Sequence, residues 1–366
     1  MSPLIDQNEL ILEPFLQYKP NSIYNPITDI TIHENDPLFD SIITSLKSSY
    51  LVVPDHHMNE MVEKQWLIGK NIDILPRYRL KIVNIEGNSH CNQHCYFCPV
   101  SKHPRPIHTM SMELYETIVE KVSHFRKTIQ GVFMINYNEP TVDKYFLERI
   151  KILKKYELPV CINTNASGFN KSKADAILNM GGLRYLSVNL STLNPERYNW
   201  ERGSKHLEKV LKNIRYLSSI PIAEEMAIAV LGENDETHKK NFREIQEAFV
   251  GGYFETKFFE IMDRAGALDV GQSPEEPIKY LKGCGNLGSR PVQHLTVNAQ
   301  GECVMCCEDY YEEYKVGDLR TQSVEEVLTG ERICKIRAML YGIEEAPEDF
   351  ICRKCIFALS CPKKSG

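Results

Sequence analysis

The sequence lacks the segments that carry a protein to or through a membrane. No apolar run approaches the roughly 18 residues that a membrane-spanning helix needs. The N-terminal segment MSPLIDQNEL has neither a basic region nor an apolar core, so it does not resemble a signal peptide. We therefore expect a cytoplasmic protein without a membrane partner.

The sequence also lacks a concentration of positive charge. It contains 43 Lys and Arg residues against 49 Asp and Glu residues, which gives a formal net charge of −6 at pH 7. Proteins that bind nucleic acid or anionic membranes normally carry a basic patch or run, so neither partner is expected. The composition, with 42% hydrophobic and 25% charged residues, is typical of a globular protein.

Cysteine is unusually frequent in this chain. Twelve cysteines are present, with three between residues 91 and 98 and eight beyond residue 283. A reducing cytoplasm disfavours disulfides, so cysteines that cluster in such a protein indicate metal ligands. Cys161 stands alone in the apolar run LPVCINT, and we expect it to be buried in the core.

Strand and helix signals alternate over residues 79–270. Six short apolar segments predict strands: RLKIVNIEG, QGVFMINYN, LPVCINTN, LRYLSVNLS, EEMAIAVLG and TKFFEIM. Repeated strand–helix units imply an α/β fold with a parallel sheet, and right-handed crossovers curl that sheet into a partial (β/α)6 TIM-like barrel. The active sites of such barrels lie at the C-terminal ends of the strands. The first cysteine group follows the first strand and therefore falls on that face.

Residues 1–78 contain no cysteine and predict a small N-terminal α/β extension. An amphipathic helix is expected there, with Leu38, Ile42, Ile43 and Leu46 on one face. The extension could be of winged-helix type or a simple packing extension, and the sequence favours neither.

Residues 271–366 predict a separate, cysteine-rich C-terminal module. Glycine becomes frequent, and one segment, SVEEVLTGERICKIRAML, predicts a clear helix. The segment HLTVNAQGECVMC predicts a hairpin whose turn lies at residues 298–301.

The first cysteine group has the spacing Cys-x3-Cys-x2-Cys, formed by Cys91, Cys95 and Cys98. Cubane iron–sulfur clusters normally take four cysteines. No nearby fourth cysteine is evident, so one iron would stay open to a non-protein ligand. A zinc site completed by His90 or His94 is the alternative, although zinc sites more often contain paired Cys-x2-Cys units.

This triplet, with the aromatic Phe97 before its last cysteine, resembles the signature of the radical S-adenosylmethionine (SAM) superfamily. Tyr137-Asn138-Glu139-Pro140 follows the second predicted strand, where that family usually carries Gly-Gly-Glu-Pro. The two glycines are replaced, but the Glu and the Pro remain. The resemblance implies that Phe97, Asn138 and Glu139 contact SAM, with the carboxylate suited to its amino group.

Polar residues at later strand ends extend the resemblance over roughly residues 80–266. Asn165 follows the third strand, and Ser187 and Asn189 end the fourth. Arg202 lies in a Glu-Arg-Gly turn similar to the Ile-Arg-Gly turn of the family, whose Arg can meet the SAM carboxylate. Leu231 lies in IAVLGEN, which resembles the segment that contacts adenine. The resemblance implies that these five residues also bind SAM.

The resemblance also implies a mechanism. A [4Fe–4S] cluster on the first cysteine group binds SAM through its open iron. One electron from the reduced cluster then cleaves SAM to methionine and a 5′-deoxyadenosyl radical, which takes a hydrogen atom from an unactivated C–H bond. The barrel aligns the cofactor and excludes water. A reductase or a flavodoxin is the expected electron donor.

The C-terminal cysteines resemble those of the SPASM/twitch family, which binds auxiliary iron–sulfur clusters. The resemblance implies one auxiliary [4Fe–4S] cluster, held by Cys284, Cys306, Cys352 and Cys355. Cys361 matches a further SPASM position, but Ser365 replaces the next cysteine of that pattern. A second auxiliary cluster that uses Cys361 with Cys303, Cys307 or Cys334 is therefore an alternative, as is a structural zinc site on the first four cysteines.

Three functions are compatible with these features. SPASM/twitch enzymes most often act on peptides, so the leading hypothesis is a maturase that crosslinks or epimerises a ribosomally synthesised peptide. The N-terminal extension would bind a leader segment by strand addition. Cys307 would then be a candidate catalytic thiol that gives a hydrogen atom to the substrate radical, with simple packing as the alternative. The second hypothesis is a dehydrogenase that oxidises an alcohol of a small molecule such as an aminosugar, and the third is a non-catalytic iron–sulfur or zinc-binding regulator.

Overall fold

The N-terminal unit combines short antiparallel strands with helices. The computed structural model describes residues 9–48 and 50–360. The first elements are β1 (Leu10–Leu12), β2 (Gln17–Lys19), β3 (Ser22–Asn25), β4 (Ile30–His33), α1 (Pro37–Lys47), α2 (Asp55–Glu63) and β5 (Leu67–Gly69). Strands β2, β3 and β4 form an antiparallel sheet in that order, and β1 pairs with β5.

This unit has an apolar core of its own. Trp66 and Ile23 are fully buried there, together with Leu38 and Ile42 from one face of α1. The predicted amphipathic helix is therefore confirmed, except that Leu46 is 43% exposed near the C-terminal end of α1. Asp36 starts the helix as its N-cap, because its carboxylate accepts a hydrogen bond from the backbone N–H of Leu38.

The barrel region alternates strands and helices as predicted. Its elements are β6 (Ile82–Ile85), α3 (Pro99–Lys102), α4 (Met112–Ser123), β7 (Gly131–Phe133), α5 (Phe146–Lys155), β8 (Val160–Thr164), α6 (Lys171–Asn179), β9 (Leu183–Asn189), α7 (Pro195–Arg202), α8 (Leu207–Ser218), β10 (Ala223–Gly232), α9 (Glu236–Ala248) and β11 (Glu255–Glu260). Strands β6 to β11 are parallel and lie side by side in chain order. The partial TIM-like barrel is confirmed, and each of the six predicted segments contains one strand.

The parallel strands form the main core because helices follow them along the chain and cover the sheet. Val160 and Ile162 of β8 are completely buried, and Cys161 between them is 2% exposed, as predicted. Because the six strands run in one direction, their C-terminal ends share one mouth of the barrel. No helix in the described part of the chain is long and apolar enough to cross a membrane.

The C-terminal module continues the sheet of the barrel. Its elements are β12 (Leu281–Cys284), α10 (Arg290–Gln293), β13 (His294–Val297), β14 (Glu302–Val304), β15 (Lys315–Asp318), α11 (Val324–Thr329), α12 (Glu331–Leu340) and β16 (Ala358–Ser360). The predicted hairpin is confirmed as β13 and β14. Strand β13 also pairs in parallel with β6, which produces a nine-stranded sheet. All four residues of β13 are buried, as expected for a strand inside a sheet.

The single helix predicted in SVEEVLTGERICKIRAML is two helices in the structure. Gly330 separates α11 from α12 with an extended backbone, at ψ 157°. Glycine is among the poorest helix formers, so the chain can break there at low cost. Ser323 and Glu326 form a capping box that starts α11.

The N-terminal unit packs against the C-terminal module. The side-chain amide of Gln17 in β2 donates to the carbonyl oxygens of Cys284 at 2.6 Å and Gly288 at 3.0 Å. The rings of Phe15 and Tyr341 lie 4.5 Å apart between centroids. In the described part of the chain, β4 is therefore the outer edge of the N-terminal three-stranded sheet.

Candidate active site

The loop that carries the first cysteine group begins directly after β6, at the C-terminal mouth of the barrel. Its backbone is tied to the end of α7. The N–H of His94 donates to the carbonyl of Arg202 at 2.9 Å, and the N–H of Tyr96 donates to that of Glu201 at 3.1 Å. The predicted Glu-Arg-Gly turn therefore lies beside the cysteines, although more than 100 residues separate the two segments in sequence.

The three thiols of this loop lie close enough to influence one another electrostatically. Burial raises the pKa of the Cys91 thiol to about 12 and that of Cys98 to about 11, and neighbouring cysteines add to both increases. Burial also raises the pKa of Cys95, although the Arg202 guanidinium acts in the opposite direction. Iron coordinates cysteine as thiolate, so a bound cluster supplies the positive charge that keeps these buried groups deprotonated.

Arg202 is a buried cation whose hydrogen bonds are incomplete. Its Nε donates to Ser191 Oγ at 3.2 Å, and its Nη1 lies 3.9 Å from Cys95 Sγ. The guanidinium carbon lies 4.9 Å from the centre of the Phe97 ring. Its buried Nη2 has no hydrogen-bond partner in the described part of the chain. A buried guanidinium N–H without a partner fits an anionic group such as a ligand carboxylate.

Glu139 joins the ends of β7 and β8. Its Oε1 accepts hydrogen bonds from the backbone N–H and hydroxyl of Thr141 and from the hydroxyl of Thr164. Its Oε2 accepts from the N–H of Asn165 at 2.7 Å. Complete burial raises the pKa of Glu139, while these hydrogen bonds lower it. Because Oε2 has a single donor, it keeps capacity to accept from an external ammonium group.

We expect Glu139→Gln to weaken SAM binding at least about tenfold. Both carboxylate oxygens of Glu139 accept hydrogen bonds in the wild type, and the substitution replaces one of them with an NH2 group that cannot accept. Equilibrium dialysis of the reconstituted protein with SAM measures this change. Glu148→Gln is the matched control, since Glu148 is an exposed acid on α5. Equal SAM affinity in both variants would exclude a role for Glu139 in binding.

Asn138 and Asn165 are held in fixed positions beside the cysteine loop. The side-chain oxygen of Asn138 accepts from the backbone N–H of Asn136 at 3.0 Å. The side-chain amide of Asn165 donates to Asn92 Oδ1 at 3.0 Å, next to Cys91. The structure therefore places both predicted residues at the barrel mouth, where their contact with SAM remains a prediction.

The remaining predicted residues lie on adjacent strands at the same mouth. Ser187 and Asn189 are two residues apart and therefore lie on the same face of β9. Leu231, near the end of β10, pairs with Phe259 of β11. Asn163 of β8 pairs with Ser187, and its buried side-chain oxygen has no hydrogen-bond partner among the described residues. Asn163 belongs to the triplet Asn163-Thr164-Asn165 that ends the third predicted strand, and its contact with SAM remains a prediction.

Four C-terminal cysteines line one cavity: Cys284, Cys306, Cys352 and Cys355. They come from β12, from the turn after β14 and from the segment that precedes β16. Burial raises the pKa of the Cys352 thiol, and the nearby charges of Cys284 and Cys355 raise it further. The structure thus brings together the predicted auxiliary ligand set, whose ligand role remains a prediction.

The cysteines proposed for a second auxiliary cluster are placed differently. Cys361 lies outside the described residues. Cys303 is buried in β14, where Asp318 of β15 is its main charged neighbour. Cys334 donates from Sγ to the carbonyl of Thr329 at 3.4 Å. Neither Cys303 nor Cys334 lines the cavity described above.

Tyr137 and Cys307 connect the two cysteine sites. The Tyr137 ring packs in an apolar cluster with Cys98, and its hydroxyl donates to the carbonyl of Cys307. The Cys307 thiol lies 3.5 Å from Glu308 Oε1, which also accepts from Arg264 Nη1 at 3.1 Å. Burial raises the pKa of Cys307 to about 11.

Two family models match the chain. Residues 85–245 match the radical SAM superfamily, and residues 284–356 match the SPASM iron–sulfur cluster-binding domain. The first range contains the cysteine loop and the strand ends around it, and the second contains the four-cysteine cavity. The chain therefore combines a radical SAM region over residues 85–245 with a SPASM iron–sulfur cluster-binding region over residues 284–356.

Curated relatives match half of the chain or less. The chain is 26% identical over 187 residues to a GTP 3′,8-cyclase of Peptoclostridium acidaminophilum, which covers 50% of this chain and 56% of that protein. It is 30% identical over 145 residues to a probable GTP 3′,8-cyclase of Thermococcus kodakarensis. That match covers 38% of this chain and 46% of that protein. The chain therefore spans about half the length of the curated relatives it matches.

Solved structures share the fold at low sequence identity. Streptococcus suis SuiB bound to precursor peptide SuiA has a TM-score of 0.59 and 11% identity, over 90% of each chain. The structure of anSMEcpe with bound AdoMet has a TM-score of 0.53 and 13% identity, over 72% of this chain and 80% of that chain.

The residues of both sites fit the cofactors that these domains use, namely [4Fe–4S] clusters and SAM. The first site offers one buried and two partly buried thiols that interact with one another, and a buried Arg202 N–H that lacks an acceptor among the described residues. The second offers four thiols around one cavity. Three cysteines leave one iron free for SAM, whereas four complete the coordination of a cluster.

Proposed function

We propose that this enzyme applies radical SAM chemistry to a ribosomally synthesised peptide. The N-terminal unit carries the proposal, because it presents the outer strand β4 and contacts Cys284 of the auxiliary cavity through Gln17. SuiB, which shares the fold over 90% of both chains, was solved with a precursor peptide bound, and this supports a peptide substrate.

The hydrogen-bonding pattern of β4 suits strand addition. Glu34 N–H donates to the carbonyl of Asn21 at 3.2 Å, and Thr31 lies opposite Tyr24 in the same antiparallel pair. Because bonded and non-bonded pairs alternate, Thr31 directs its N–H and C=O groups away from β3. His33 directs its N–H outward as well, whereas its carbonyl accepts from the N–H of Asp36 at 2.8 Å. Thr31 and His33 are both exposed. An extended segment can pair with such an edge through its backbone.

Thr31→Pro is expected to weaken binding of the full-length precursor peptide at least about tenfold, because it removes an outward N–H from the edge of β4. Thr31→Ala is the matched control, since it keeps that N–H. Fluorescence anisotropy with the peptide encoded beside the gene measures both affinities. The peptide proposal fails if the two variants bind that peptide alike, or if the wild-type enzyme leaves it unmodified and oxidises a small-molecule alcohol.

The residues of the barrel mouth have distinct roles in this function. Cys91, Cys95 and Cys98 hold the cluster, while Arg202 and Glu139 bind the carboxylate and amino groups of SAM. When bound, the cluster and SAM supply a 5′-deoxyadenosyl radical. Burial of the site restricts water, which protects such a reactive species from side reactions.

The role of Cys307 depends on whether the peptide is epimerised or crosslinked. In an epimerisation, its S–H would give one hydrogen atom to the peptide carbon radical, and the external reductant would restore the thiol with one electron and one proton. In a crosslinking reaction, the peptide instead loses two hydrogen atoms. Incubation of enzyme and peptide in deuterated water distinguishes these products by mass, since epimerisation adds one deuterium.

A further inference from the structure

Arg290 is a buried cation beside the auxiliary cavity, and Glu308 is the one carboxylate among the described groups that raise its pKa. Its side chain lies at the start of α10 and lines the cavity with the four cysteines. The residue is 8% exposed, and its buried Nε has no hydrogen-bond partner in residues 9–48 and 50–360. No sequence motif marks this arginine.

The groups that face Arg290 are sulfur atoms and one carboxylate. Cys307, Cys306, Glu308 and Cys284 all raise the pKa of Arg290, against the lowering effect of burial. Glu308 offsets only part of this charge, because its single carboxylate also accepts a hydrogen bond from Arg264 at 3.1 Å, so that one negative charge faces two guanidinium groups. On the other side, burial and the nearby charge of Arg290 lower the pKa of His294 to about 3, so this neighbour stays neutral.

A buried guanidinium whose Nε has no hydrogen-bond partner among the described residues is costly. Desolvation of a buried ion costs several kcal/mol unless an opposite charge offsets it. A [4Fe–4S] cluster with four thiolate ligands carries a net negative charge, and it would occupy the cavity that Arg290 lines. Arg290 therefore has its natural counter-ion in the auxiliary cluster itself.

We propose that Arg290 raises the reduction potential of the auxiliary cluster. Reduction adds one electron to the cluster and neither forms nor breaks a bond. The reduced state carries one more negative charge, so a fixed positive charge beside it in a medium of low dielectric constant stabilises that state more than the oxidised one. The cluster becomes a better acceptor for the electron that a substrate radical releases. This inference rests on the auxiliary cluster of the proposed function.

An EPR-monitored redox titration tests the proposal. The full-length chain with Cys91→Ala, Cys95→Ala and Cys98→Ala reports only the auxiliary cluster. In that background, Arg290→Met is expected to lower the equilibrium constant for reduction at least tenfold, which corresponds to about 59 mV for a one-electron couple. Arg290→Lys should retain most of the potential. Arg320→Met, which removes an exposed arginine from the same module, should leave the potential unchanged.

Iron content separates the outcomes. If Arg290→Met binds no iron, Arg290→Gln, which also removes the charge, takes its place in the comparison. An unchanged potential in a charge-removing variant with full iron content overturns the proposal but leaves the auxiliary cluster and the peptide function standing. If the triple cysteine background binds no iron at all, the auxiliary cluster fails, and the role of Arg290 fails with it.

Discussion

The protein with Cys91→Ala, Cys95→Ala and Cys98→Ala is expected to release no detectable 5′-deoxyadenosine from SAM. The three thiols are the candidate ligands of a cluster at the barrel mouth, and that cluster would supply the iron and the electron needed to cleave SAM. The barrel itself should stay folded, because these residues lie in a loop and not in the packed strands. Anaerobic incubation with dithionite, followed by mass spectrometry of the nucleosides, measures the loss.

Cys161→Ala provides the matched control for this loss. It removes a buried cysteine of β8 that lies outside both candidate sites, so SAM cleavage should continue. Cleavage of SAM by the triple variant at a rate close to that of the wild type would show that another part of the chain binds the reactive cluster.

Replacement of Cys352 and Cys355 by alanine is expected to remove the auxiliary cluster and abolish product formation. The iron content should fall from about eight to about four atoms per chain, because two of the four cavity ligands are lost. SAM cleavage should persist, since the first cysteine group is untouched. Iron analysis and parallel assays of 5′-deoxyadenosine and modified peptide measure these three quantities.

Cys303→Ala is the control for the auxiliary site, because Cys303 lies in the same module but does not line its cavity. It should keep the iron content and the product of the wild type. Normal peptide modification by the Cys352→Ala, Cys355→Ala variant would contradict a role for the auxiliary cluster in the reaction.

The sequence was sufficient to predict the barrel and the positions of its chemically important loops. Short apolar strands that alternate with helical segments have few alternatives to a parallel sheet. Cysteine spacing is a local property, so a metal site could be predicted from residues 91–98 alone, whereas the choice of an iron–sulfur cluster over zinc came from the resemblance. The four auxiliary cysteines, in contrast, were grouped by resemblance, and their shared cavity depends on packing between β12, the turn after β14 and the segment before β16.

Features that depend on long-range pairing were not predicted. The sequence indicates a separate C-terminal module, but β13 pairs with β6, about 210 residues earlier in the chain. The break at Gly330 was missed because the apolar pattern continues across it. The role suggested for Arg290 rests on a missing partner, and only a three-dimensional structure can show which polar atoms lack one.

The EPR spectrum of the reduced first cluster, recorded with and without SAM, tests the central claim most directly. The measurement uses the chain with Cys352→Ala and Cys355→Ala, so that the cluster on Cys91, Cys95 and Cys98 alone contributes. Binding of SAM to the open iron is predicted to change the spectrum. An iron–sulfur signal that is identical with and without SAM would contradict the account.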